Sequence, residues 1–236
     1  MSTRSPCFQL ALETSSQHGS IALGRAGVVA EARAFGAPRD HSASLMAAVD
    51  TLCRDHEVAP GDLASIFVSI GPGSFTGLRI GLVVGRMLAL GLGATVHGVP
   101  TMDVIALNTL SMPDPPTRAA VLIDAGRRRV FAADYQRSGS EFMAGAQPVE
   151  VAAEVFLRDL SKECVVICTP ALADQVRQTD PSRSVLPEAM AIPRAEVVLT
   201  LGHERSRVGP VPPARELVPL YIRQPGAVEK WAQRHT

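Results

Sequence analysis

The sequence predicts an α/β protein of two related halves, each a mixed sheet with helices, and three observations carry that prediction. Short apolar runs separated by glycine turns open the chain. Stretches of helical spacing then alternate with further short apolar runs. The same order partly recurs beyond a proline-rich linker, "SMPDPPT", at residues 111–117.

The elements follow in order. "CFQLALET", "SIALG" and "VVAEARAF" are three short strands joined by "SSQHG" and "RAG", spacings that make an antiparallel meander. "DHSASLMAAVDTLCRDHE" switches to helical spacing. Leu45, Val49, Leu52 and Cys53 fall along one side of it, and Asp40 or Ser42 can cap its start. "APGD" ends that helix and "SIFVSI" is a fourth strand. A glycine turn leads into a second helix, and "ATVHGVP" is a fifth strand. Helices between strands three, four and five imply parallel crossovers. Three meander strands followed by two helix–strand units is the order of a ribonuclease-H-like or actin-like half domain.

The recurrence begins with "AAVLIDAG", a strand with "RRRVFAADYQ" as its hairpin partner and "AQPVEV" as a third strand. "AAEVFLRDL" is a short helix, "ECVVICTP" a strand, "ALADQVRQ" a helix and "PRAEVVLTLGHERSR" another helix. A degenerate repeat is more economical than a new fold. The expected division is residues 1–107 and 108–236, the second half ending in an irregular tail rich in proline and charge.

Composition excludes some functions. The 236 residues carry 23 Lys plus Arg and 23 Asp plus Glu, a net charge of zero. A protein gripping nucleic acid through its own phosphate contacts would show a basic excess, so any role with RNA is expected to run through a partner. Aromatics are only 4%, which argues against a platform stacking unpaired bases. Cys7, Cys53, Cys164 and Cys168 form no zinc pattern and read as reduced thiols. The longest apolar stretch, Ile80–Val96, is interrupted by Arg86 and four glycines and falls short of the ~20 residues a membrane crossing needs. A soluble, cytoplasmic protein without a membrane partner is expected.

"GPGSFTG", at 71–77, follows a strand and opens a helix, the setting for anion binding. It is not a Walker motif, because no lysine lies near the turn. Nor is it a dinucleotide fingerprint, because the spacing of Gly71, Gly73 and Gly77 is one residue too long. Two readings stay open for Gly73, Ser74, Phe75 and Thr76: a phosphate cradle made by their amides, or a tight strand–helix turn. Along the helix, Gly77, Gly81, Gly85 and Ala89 recur every fourth residue. Glycine in a helix costs roughly 1 kcal/mol against alanine, so the row implies a close approach, to its own sheet or to a partner helix.

A self-sufficient active site is not legible. Two-metal chemistry needs several converging carboxylates; Glu13 ends the first strand suitably, but the fourth strand offers Ser69 in place of an acid. His41 begins a helix, but Leu45 occupies the position four residues on. Ser74 has no G-x-S-x-G elbow and no evident base. No catalytic residue, metal ligand or bound cofactor is expected of this chain.

"LALETSSQHGSIAL", the helix beginning "HSASLM", "SIGPGSFTGLRIGL", "VHGVPTMDVIA" and the closing "PLYIR" resemble the TsaB family, formerly YeaZ and labelled glycoprotease-like. "GPGSFTGLRIG" is the most specific piece, and the match is strongest over residues 8–107. The resemblance implies an actin-like fold and a part in making threonylcarbamoyladenosine beside the anticodon of tRNA. It implies a non-catalytic partner of the paralogue TsaD, which performs the transfer and holds a metal through an H-x-x-x-H helix; the ATPase TsaE joins them. ATP or ADP and metal are expected on those subunits, tRNA is met through the complex, and a homodimer forms when the chain is alone. Leu45, Val49 and Leu52, with Gly77, Gly81 and Gly85, are the expected partner interface. The rival is an actin-like metal-dependent peptidase or nucleotide hydrolase. Two positions depart from the family: Glu13 stands where aspartate is usual, and Gly126 follows "DA" where arginine is frequent.

Overall fold

The computed structural model describes residues 7–36, 41–139, 141–208 and 213–222, with the backbone alone at 41–43. The described residues divide into two compact units, one drawn from Met1–Asn108 and Ile192–Pro219, the other from Thr109–Ala191 and Leu220–Thr236.

The first unit is built on β1 (Phe8–Glu13), β2 (Gly19–Arg25), β3 (Val28–Phe35), β4 (Leu63–Gly71) and β5 (Thr95–Pro100), in the order β3-β2-β1-β4-β5. β1–β2 and β2–β3 are antiparallel, whereas β1–β4 and β4–β5 are parallel. The parallel pairs require crossovers, which α1 (His41–Asp55) and α2 (Phe75–Leu92) supply. α3 (Thr101–Asn108) follows β5 directly, a helix that the sequence reading leaves unassigned.

Strand side chains alternate between two apolar layers, as a period of two dictates. Leu10, Leu12, Ile21, Leu23, Ile66 and Val68 face one layer, together with Leu45, Val49, Leu52 and Cys53 of α1 and Leu82 and Ala89 of α2. The intervening Ala11, Ala22 and Phe67 face the other layer, with Val104 of α3 and Val198, Leu199 and Leu201 of α6 (Ala195–Ser206). Burial on both faces is the usual state of a sheet with parallel strands.

α6 corrects the expected division at 107/108. The helix expected there in the second half returns to the first sheet, where the Phe67 ring leaves no room for a Cβ at Gly202. His203 Nδ1 and Gln9 Nε2 meet at 2.9 Å, and Gln9 Oε1 accepts the Gly27 N–H at 2.7 Å. Within the expected irregular tail, Leu217 packs into the α1–α2 layer. The expected cap Asp40 lies outside the described residues, as do the Ser42 side chain and Arg223 of "PLYIR".

In the second unit β6 (Arg118–Gly126), β7 (Arg129–Ser138), β8 (Glu141–Ala144), β9 (Val149–Ala152) and β10 (Val165–Ile167) form a sheet ordered β10-β6-β7-β8, with β9 also on β7. The expected third strand is β9, and β8, which the sequence reading leaves unassigned, precedes it; the two pair with different parts of β7. α4 (Ala153–Asp159) and α5 (Pro170–Thr179) pack over it, and Cys164 and Cys168 are buried in its core. Burial pushes both thiols up to about 11. Matching β6, β7, β8/β9 and β10 to β1, β2, β3 and β4 reproduces the first unit's strand order. The fifth strand is reduced to one parallel bridge, Val166 to Val185. The fold is therefore the actin-like α/β arrangement of two related halves, the second degenerate.

Candidate functional site

The carboxyl ends of parallel strands are where open α/β sheets bind ligands. In the first unit these are Glu13, Gly71 and Pro100. Glu13 is fully buried and ringed by hydroxyls. Ser15 donates to Oε1 through its N–H at 2.6 Å and its Oγ at 2.5 Å, and Ser69 Oγ donates to Oε2. Burial raises the Glu13 carboxyl above its ordinary value, and the serine hydrogen bonds pull the other way. The site nuclease chemistry would use thus holds one carboxyl occupied by its neighbours. Among the described residues no three of His, Cys, Asp and Glu converge as metal ligands.

Ser15 also ties the β1–β2 turn to the glycine turn. The Ser15 carbonyl accepts the Ser74 N–H at 2.7 Å, and Ser74 Oγ caps α2 by accepting from the Gly77 N–H at 3.2 Å. Of the four residues of the candidate phosphate turn, Ser74 therefore has both its amide and its hydroxyl engaged within the chain. Phe75 and Thr76 are exposed, and Gly73 lies against the Ser15 carbonyl.

The glycine row has a definite neighbour. A Cβ at Gly77 would collide with the Thr14 carbonyl, one at Gly81 with Thr14 Oγ1, and one at Gly85 with the Val68 side chain. α2 thus lies with its backbone directly on the end of β1 and on β4. Leu45, Val49 and Leu52 are equally internal, at 0, 4 and 0% exposure. All six residues expected at a partner interface are core residues of their own unit, and that expectation is corrected. Spacing fixes which residues share a face but not what the face meets.

What α2 presents outward is the opposite face. Phe75, Arg79, Val83, Met87 and Leu90 follow at steps of four, four, four and three, and all are exposed, Met87 at 68% and Leu90 at 71%. The Arg79 guanidinium lies 3.8 Å over the Phe75 ring. Met46 of the neighbouring α1 is also exposed. Sequence reasoning missed this row, although it had a signal. When glycines form one side of a helix apolar all round, the large apolar side chains must stand on the other. α2 is the one helix among the described residues long and apolar enough to cross a membrane by length and composition, but its glycine side is packed on a sheet.

Comparison with known proteins adds the following. Residues 26–231 match the family model described as TsaD, tRNA N6-adenosine threonylcarbamoyltransferase. The chain is 28% identical over 227 residues to the tRNA threonylcarbamoyladenosine biosynthesis protein TsaB of Escherichia coli, covering 94% of this chain and 96% of that one. It is 34% identical over 127 residues to the protein of the same name from Bacillus subtilis, covering 54% of each chain, so that alignment spans about half of that relative. The solved structure of YeaZ from Pseudomonas aeruginosa superposes with a TM-score of 0.78 at 25% identity, over 91% of this chain and 99% of that one.

Proposed function

The chain belongs to the TsaB (YeaZ) family, and from that premise we propose that it is a non-catalytic subunit that docks on TsaD through the outer face of α2 and the adjoining part of α1. The family takes part in tRNA threonylcarbamoyladenosine biosynthesis. In this reading TsaD performs the transfer, TsaE joins the pair, and tRNA is met through the assembly. With no TsaD present, the same face pairs with a second copy.

The exposed apolar row Phe75–Val83–Met87–Leu90 carries the reading. Fully burying one large apolar side chain contributes ~1.5–3 kcal/mol. Several in one row, with Met46 beside them, suffice to offset part of the entropy lost on association. Burying the row on a partner also removes an apolar surface that an isolated protein tolerates poorly. The Glu13 arrangement supports a subunit without chemistry of its own, because its carboxyl is taken up by Ser15 and Ser69.

Val83→Asp is the direct test. Val83 is 52% exposed, so the melting temperature should stay near wild type. Binding to purified TsaD should be lost, because the new carboxylate would stand in the middle of the apolar row and draw to itself the Arg79 and Arg86 guanidiniums that flank it at i−4 and i+3. Retained wild-type affinity would move the partner to another surface.

A further inference from the structure

The outer face of α2 is apolar but not neutral, and its two charges are placed one heptad apart. Arg79 and Arg86 lie on the same side as Phe75, Val83 and Leu90, seven residues or about 10.5 Å along the axis from each other. α2 contains no Asp or Glu. Neither arginine forms an ion pair among the described residues. The acids of α1 are engaged elsewhere: Asp50 pairs with Arg54, and Asp55 pairs with Arg33 at 2.7 Å. Arg79 is also held in place, since stacking on Phe75 limits its rotamers and sets its guanidinium at the start of the row.

From this placement we infer that Arg79 and Arg86 determine which helix the face accepts: one whose apolar row carries two carboxylates about seven residues apart. The inference rests on the docking reading above and adds the partner's chemistry to it. Two guanidiniums inside an apolar seam favour a partner that offers carboxylates and oppose one that does not. A second copy of this chain brings its own Arg79 and Arg86 and no acid on α2. Pairing of the face with itself is therefore the electrostatically opposed arrangement, and the heterologous partner is the favoured one.

The two arrangements have opposite responses to salt, which supplies the experiment. Binding to purified TsaD and self-association are each measured from about 0.05 M to about 0.5 M salt. The proteins are wild type, the double variant Arg79→Gln/Arg86→Gln, and Val83→Asp. Wild type should bind TsaD more weakly as salt rises and self-associate more strongly. The double variant should lose about tenfold or more in affinity for TsaD at low salt, lose most of the salt dependence, and self-associate more strongly than wild type. Unchanged affinity and salt dependence in the double variant would overturn the inference. If Val83→Asp abolishes binding in that same experiment, the docking face itself stands and only the charge selection falls. If Val83→Asp binds as wild type, or if wild type does not bind TsaD, the docking reading fails and the inference fails with it.

Discussion

Glu13 is where one residue governs a measurable property of the whole protein. Its carboxyl is buried at the end of β1, and desolvation raises its folded-state value above the ordinary 4.5. A raised carboxyl contributes stability that is fully present below the unfolded value and is lost as pH rises through the folded one. Unfolding free energy should therefore decline for wild type relative to Glu13→Gln as pH is raised from about 4.5. The amide can keep a hydrogen bond to Ser69 and does not ionise. Denaturant titrations of both proteins across the acid-to-neutral range check this, and a difference independent of pH would mean that Glu13 is not held protonated. Glu31 and Asp180 run in the opposite sense: bonding to Arg33 and Lys162 respectively lowers each to about 2. Taking the difference between variant and wild type cancels them. The sequence placed Glu13 at a strand end but could not show that Ser15 and Ser69 enclose it, because Ser69 lies 56 residues away and meets it only through the β1–β4 pairing.

Among the elements, α2 carries the two-sided design. Its inner side is made of small residues so that the helix backbone can rest on Thr14 and Val68, and its outer side is made of large apolar residues. The helix is closed at both ends, by the Ser74 cap and by Gly93, whose left-handed φ of 70° suits glycine at a helix C-terminus. Gly81→Leu should overpack the inner side against Thr14, cost ~1–3 kcal/mol and lower the melting temperature. Val83→Asp, two residues on, should leave melting nearly unchanged. Differential scanning of the two variants side by side separates the sides. Equal destabilisation by both would mean that the outer face is also part of the fold. The spacing of the glycines was legible in the sequence. Its neighbour was not, because a row of small residues permits close approach equally to a sheet and to another helix.

At the level of the whole molecule, the first unit is completed by a helix from the far end of the chain. α6 places Val198, Leu199 and Leu201 on the layer of Ala11, Ala22 and Phe67. Each such side chain contributes ~1.5–3 kcal/mol on burial, so together they approach the ~5–15 kcal/mol by which a domain is stable. A chain ending at Asn108 should therefore fail to fold cooperatively, and joining residues 192–219 to it by a linker should restore a cooperative transition. Urea titration followed by circular dichroism decides the matter, and a cooperative transition in the shorter chain would show that α6 is dispensable.

The sequence by itself determined the kind and order of most elements, α3 and β8 excepted, and the family, because periodicities of two and 3.6 residues and the "GPGSFTGLRIG" turn are local properties. It also determined which residues share a helix face. Only the tertiary structure decided what each face meets. It turned Leu45, Val49, Leu52 and the glycine row inward, turned Phe75, Val83, Met87 and Leu90 outward, and brought α6 back to the first sheet. The physical reason is that apolar burial is non-directional: it rewards covering a face without specifying the surface that covers it, and that choice is settled by packing between residues distant in the chain.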